Sequence, residues 1–400
     1  MPKLRMQVAS IALIIGLCSA PLPLAAQEVL TEDLAIARAL AREGIAARDD
    51  ANRAEAAAGV SIIGPLDNPE LELSRESAGG ESEWQLGIIQ PIDLSGRRGA
   101  LRDAARSEAE AIENDIAWRR QLLVADTRRA YVGCAAAGAE LQVWQAHAAD
   151  LAEATRIAEA RAREGDTAVY DVRRTRVALS SAEAELRLAT GEREAGCVAL
   201  AALTGIEDPQ IPPSAMTSLR SGAATGTRAD LAAQEQRLQA ASQRVTAARR
   251  ARLPQFSVGA GVLRRDDGID TAYGPTVSIG VTLPIWNGGG AAVSEAEARQ
   301  RALEAELAIA QRTAEAEQQA AATRAVAAQE AAVAAARSRD DAARLGTIAS
   351  TAYEAGEIGV VELVDAYEAQ RDGELTVIAH ARRAADAAIT FDLATGRTYP

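Results

Sequence analysis

The chain has 400 residues, of which 48% are hydrophobic and only 3% aromatic, and alanine supplies about a quarter of the length. That composition argues against a bulky mixed core and favours long helices packed at close range. A formal net charge of -13 with no Lys/Arg-rich run excludes nucleic acid as a partner, because phosphate binding needs clustered cations.

In chain order, the first segment is an address. Lys3 and Arg5 precede an apolar stretch from Val8 to Leu17, followed by Pro21, Pro23 and the small pair Ala25 and Ala26, the layout of a signal peptide over 1–26. The stretch is too short to span a bilayer as a helix. Leu17 stands where a lipidation signal wants a small residue, so Cys18 is not expected to carry lipid.

Proline then divides the chain. None lies between Pro91 and Pro209 or between Pro284 and Pro400, which leaves two long tracts free to be helical. The expected helices run from about Thr31 to Val60, Arg97 to Glu164 and Asp166 to Thr204. A second set runs from about Thr227 to Leu253, Ala291 to Ala355 and Glu357 to Thr395. The sets are repeats: the stretch from Gly165 to Val172 answers that from Gly356 to Leu363, and in the same register Leu203-Thr204-Gly205 answers Ala394-Thr395-Gly396. Residues 27–205 and 228–400 thus form two units joined by a Pro/Gly-rich segment over 206–227.

Each unit carries a β-hairpin, at about 69–92 and 254–285. Phe256, Val258, Ala260 and Val262 alternate with small or polar residues, as do Val277, Ile279, Val281, Leu283 and Ile285; Leu71, Leu73, Trp84, Leu86 and Ile88 repeat the pattern more weakly. Such strands fit a transmembrane barrel, with Trp84, Trp286 and Tyr273 as part of an aromatic girdle, or a soluble sheet packed on helices. Four strands in lipid would leave two unpaired edges, which hydrocarbon does not tolerate. Three copies supply twelve strands and a lumen. The fold class expected is therefore mainly α with a transmembrane β part: a trimeric 12-stranded barrel continued by a helical barrel. Its helical hairpins reverse at Gly165 and Gly356.

From about Thr31 to Gly396 the chain resembles outer-membrane efflux proteins of the TolC type. The stretches Asn68-Pro69-Glu70-Leu71 and Gln90-Pro91-Ile92-Asp93-Leu94-Ser95-Gly96-Arg97-Arg98-Gly99-Ala100 look most like its CzcC-like heavy-metal branch. The resemblance implies an outer-membrane homotrimer that conducts substrate passively, heavy-metal cations in that branch. Energy would come from an inner-membrane pump of the resistance-nodulation-division type, through a periplasmic adaptor docking at the tips around Gly165 and Gly356. Multidrug efflux and type I protein secretion are the family's other uses. It also implies a periplasmic gate: Glu362 and Asp365 as acidic rings, and Tyr353 hydrogen-bonded to Asp171. The family's arginine just beyond the tip glycine is replaced by Glu357 and Ile358.

Other classes fit less well. An adaptor would carry one helical hairpin flanked by compact β domains, and a coiled-coil scaffold sustained heptads without paired strands. Cys18, Cys134 and Cys197 lack CxxC spacing, and His147 and His380 are the only histidines. Neither a metal site nor a disulfide framework is expected, and no cofactor. Both histidines are expected on helix surfaces, and no catalytic motif surrounds them.

Overall fold

The computed structural model describes residues 29–212, 216 and 228–397. The signal-peptide reading, with Cys18, and most of the 206–227 segment lie outside the described residues. The elements are α1 (Glu32–Leu40), α2 (Glu43–Ile62), β1 (Glu70–Ala78), β2 (Glu81–Ile92), α3 (Arg97–Glu164) and α4 (Val169–Thr204). They continue as α5 (Ala229–Arg250), β3 (Gln255–Asp266), β4 (Thr271–Thr282), α6 (Gly290–Ala355) and α7 (Val360–Ala394).

The long helix expected over Arg97 to Glu164 is found with those ends, 68 residues that extend about 100 Å. Alanine is what makes such a rod packable. Ala104, Ala111, Ala136, Ala154 and Ala158 are all buried along it, at points where a longer side chain would hold the neighbouring helices apart. α3 is the spine: it packs along α5 in the half nearer the sheet and along α4 and α7 in the other, while α6 packs on α5 and α7. The wall in the distal half therefore runs α4, α3, α7, α6.

The helix expected over 31–60 is two helices. Arg42 is extended (φ -61°, ψ 129°) as the N-cap of α2, and its guanidinium donates to the Ala202 carbonyl near the end of α4. The break lets α1 fold against α3 and bury Ala35, Ile36 and Ala39. The strands also differ from expectation. β3 runs on to Asp266 because its register with β2 continues through Ser82. β4 starts at Thr271 and stops at Thr282, short of Pro284, which has no N–H to extend a ladder.

A larger correction concerns the cysteines: Cys134 and Cys197 form a disulfide between α3 and α4, with Cα atoms 4.6 Å apart. The two residues lie at almost equal distances on either side of Gly165, so antiparallel pairing about that turn brings them together. The bond sits in a buried cluster with Tyr131, Val132, Leu200 and Ile389. Closing a loop of 63 residues should stabilise the chain by about 4 kcal/mol. Cys134→Ala with Cys197→Ala is expected to lower the denaturant midpoint accordingly, and dithiothreitol to do the same to the native chain. Equal midpoints for oxidised and reduced protein would contradict this.

Candidate functional site at the sheet edges and helical tips

The four strands form one antiparallel sheet in the order β1-β2-β3-β4, so β1 and β4 are edges without partners among the described residues. Register sorts the side chains by face. One face carries the rows Ile92/Phe256/Val281, Gln90/Val258/Ile279, Leu71/Ile88/Ala260/Val277 and Leu73/Leu86/Val262/Pro275. None of those residues is charged. The opposite face carries Glu70, Glu72, Glu76, Glu81, Glu83 and Arg265, together with Gly259, Gly261 and Gly280. At Gly261 a Cβ would run into the Leu86 carbonyl oxygen, so this face is crowded there. The apolar face lies open, with Val277 84% and Ile279 76% exposed.

Of the three girdle residues, Trp84 and Tyr273 share one cross-strand row through Arg264. Trp286 lies beyond the end of β4, at the opposite rim of the sheet, and is 98% exposed.

Between sheet and rods, the stretch that carried the branch resemblance is structural. Asp93 accepts from the backbone N–H of Ser95 (2.9 Å), the Ser95 hydroxyl (2.6 Å) and the N–H of Arg98 (2.7 Å), capping the start of α3. Burial raises its carboxyl, but the Ser95 hydroxyl and these N–H donors outweigh that and hold it below the usual range. Arg98 donates to the Gly64 and Leu66 carbonyls and to Asp67, and Gln90 to the Asp67 carbonyl. Together they tie the loop before β1 to the start of α3. Gly96 takes φ 72°, with its carbonyl accepting from Arg250; Gly289 takes φ 70° at the matching place before α6.

At the far end both helical hairpins turn at a left-handed glycine, Gly165 (φ 84°) and Gly356 (φ 77°). Each glycine N–H bonds the carbonyl three residues back and the next N–H the carbonyl five back, to Arg161 and Ala352, which closes the helix ends. Behind the tips Leu151, Ala182, Ala349, Tyr353, Leu363 and Val364 pack as one cluster of four helices. Glu362 and Asp365 are exposed on the other side of α7 from Leu363 and Val364. Glu362 occupies the first turn of α7, where a carboxylate is favoured by the helix dipole. Asp365 pairs with Arg174 of α4 at 3.6 Å.

The hydrogen bond expected between Tyr353 and Asp171 is not formed. The Tyr353 hydroxyl is buried without a hydrogen-bond partner among the described residues, and Asp171 accepts instead from the Thr167 hydroxyl at 2.6 Å. Arg161 of α3 takes the place of that contact. Its guanidinium lies 4.9 Å over the Tyr353 ring and donates to the Glu354 carbonyl at 2.8 Å. Arg161 and Arg174, which the sequence reading did not single out, thus hold the first hairpin to the second. Basic residues spaced near Gly165 were the available signal, on the hairpin opposite the missing family arginine.

Further up, His147 is buried rather than on a surface. Its Nε2 lies 3.3 Å from the Arg371 guanidinium of α7, which also stacks on Trp144. Burial, and then the Arg371 charge, push the imidazole down to about 4. The folded chain therefore resists the proton that the unfolded chain takes up near pH 6.5. The neutral ring's contribution is complete above pH 6.5 and is lost as pH falls towards 4, on the order of 3 kcal/mol in all. His147→Gln is expected to flatten that part of the stability–pH curve; an unchanged slope between pH 6.5 and 4 would contradict it.

Among the described residues no group of His, Cys, Asp and Glu is placed to hold a metal ion, and no helix is long and apolar enough to cross a membrane. The fold is a wall of long helices topped by a four-stranded sheet with two open edges and one exposed apolar face. The chain belongs to the outer membrane efflux protein family, which it matches over residues 27–206 and 221–397. The pyoverdine export outer membrane protein OpmQ of Pseudomonas putida is 28% identical over 253 residues, 59% of this chain and 54% of that protein. The chain thus matches about half the length of that relative. VceC of Vibrio cholerae, an outer membrane protein, superposes with a TM-score of 0.72 at 20% identity, covering 92% of this chain and 96% of VceC. CusC superposes at 0.75 and 20% identity, with 92% of each chain covered. At these identities the superpositions show the fold alone.

Proposed function

We propose that three copies close into a channel of the outer membrane, the sheets forming a 12-stranded barrel and the rods a tube into the periplasm. Through it substrate passes without energy input at this chain. The carrying observation is the pair of open edges on a sheet whose outer face bears no charge over four successive rows. The helical wall ends in the same way. α4 leaves Val177, Leu188 and Val198 exposed and α6 leaves Ile309, Val326 and Ile348 exposed, so a neighbour's α6 against α4 would cover both. A pump and an adaptor docking at the tips complete the system by family likeness.

Cations are the substrate class this reading favours. Five glutamates and one arginine lie on the face that would line the barrel, and Glu362 and Asp365 stand at the tips. Rings of carboxylates concentrate cations. Heavy-metal ions fit this, while likeness to a pyoverdine exporter favours a second reading, release of a small organic solute.

Detergent-extracted full chain should run in native mass spectrometry at three times its protomer mass and conduct in planar bilayers; a non-conducting monomer would refute the channel. Glu362→Gln should cut cation-over-anion permeability about twofold, read from the reversal potential in a salt gradient. Asp365 is the poorer probe, because its charge is partly answered by Arg174. An unchanged reversal potential would remove Glu362 from the conduction path.

A further inference from the structure

Beyond the last apolar row the outer face changes character. Register sets Arg75, Trp84, Arg264 and Tyr273 side by side across all four strands, one row past Leu73/Leu86/Val262/Pro275. The Arg75 guanidinium lies 5.0 Å over the Trp84 ring. Arg264 pairs with Asp266 at 3.3 Å yet stays exposed. Tyr273 is 74% exposed. Arg75, Arg264 and Asp266 are the only charged strand residues on this face, whereas the opposite face is dominated by glutamate. In a chain of net charge -13, the strand charges of this face, two arginines and the aspartate paired with Arg264, are thus confined to one rim.

That placement has a chemical counterpart. From Phe256 to Arg264 is about 26 Å along the strand, close to the height of an apolar barrel band of about 25 Å. The row therefore falls at headgroup level if the apolar face meets lipid. Aromatic rings are favoured at that depth, and long arginine side chains can lie along them with the charged end at the surface. A guanidinium offers paired donors that match two phosphate oxygens.

We propose that Arg75 and Arg264, framed by Trp84 and Tyr273, form a binding row for phosphate-bearing lipid headgroups in the leaflet around this rim. The proposal rests on the reading that the apolar face is lipid-facing. It adds a specific chemistry to that face: the arginines bind the phosphate oxygens while the rings hold the depth.

The test uses the full chain in nanodiscs of phosphatidylcholine doped with bisphosphorylated lipid A, with lipid retention read by native mass spectrometry. The wild type is expected to retain lipid A over phosphatidylcholine. Arg75→Gln and Arg264→Gln should each lower that preference about fivefold, and the double Lys variant should restore most of it. Equal retention by wild type and double Gln variant overturns the proposal, as does a wild type with no preference between the two lipids. A cysteine placed at Val277 and probed with a bilayer-confined maleimide separates the two layers of the argument. Labelling there with indifferent arginines sinks the headgroup row alone; no labelling sinks the lipid-facing reading and the row with it.

Discussion

Arg128→Met is expected to destabilise the chain by about 3–5 kcal/mol, enough to abolish folding in a marginal background. Arg128 is 1% exposed and lies where α1, α3 and α7 meet. Its Nε donates to Glu32 at 2.6 Å and its Nη1 to Asp392 at 3.0 Å. Asp392 is itself 4% exposed. Removing the cation leaves carboxylates in a low-dielectric site with less compensation, and that penalty exceeds anything the new methyl-thioether packing returns. The diagnostic comparison is the triple variant Arg128→Met, Glu32→Gln, Asp392→Asn. It removes the charges together and should recover much of the loss, because neutralised groups no longer require a counter-charge. Urea midpoints of the three proteins decide the matter. A single variant within 1 kcal/mol of wild type would mean that Arg397, 3.5 Å from Asp392, holds the site without Arg128.

The second large effect concerns the tips. Arg161→Ala with Arg174→Ala is expected to raise the open probability of the reconstituted channel at least tenfold. Three contacts are lost in each protomer: a cation–π contact on Tyr353, a hydrogen bond to the Glu354 carbonyl, and the ion pair with Asp365. These contribute roughly 0.5–1, 0.5–1.5 and 0.2–1 kcal/mol. Their sum is felt in every copy around the ring. The buried cluster of Leu151, Tyr353, Leu363 and Val364 stays intact, so the hairpins should remain folded while their mutual hold weakens. Tyr353→Phe supplies the contrast. The hydroxyl is buried without a partner among the described residues, so deleting it should leave gating near wild type and slightly favour folding. A strong gain of conductance in Tyr353→Phe, with none in the double arginine variant, would reverse the assignment.

How far residues alone led can be traced at particular places. The rods were legible because a proline-free, alanine-rich tract between Pro91 and Pro209 has no alternative local structure, and because left-handed glycines at 165 and 356 mark the ends. The faces of the sheet were legible too, since alternation has a period of two and register preserves it: Phe256, Val258, Ala260 and Val262 share a face with Leu86 and Ile88. Glu362 and Asp365, named through the family resemblance, lie three residues apart on the exposed side of α7.

Other features were out of reach because they depend on distance through space rather than along the chain. Cys134 and Cys197, 63 residues apart, are neighbours only through the reversal at Gly165. His147 is buried because Arg371 of α7 lies against it, and the break at Arg42 follows from a carbonyl 160 residues away. The Tyr353–Asp171 contact failed for the same reason: Arg161, about one turn before the tip at Gly165, reaches the ring first. Local pattern sets the helix, the strand and the turn, since those energies are summed over near neighbours. Which side chains from separate rods meet is settled by packing offsets of a few ångströms, and only the folded chain specifies them.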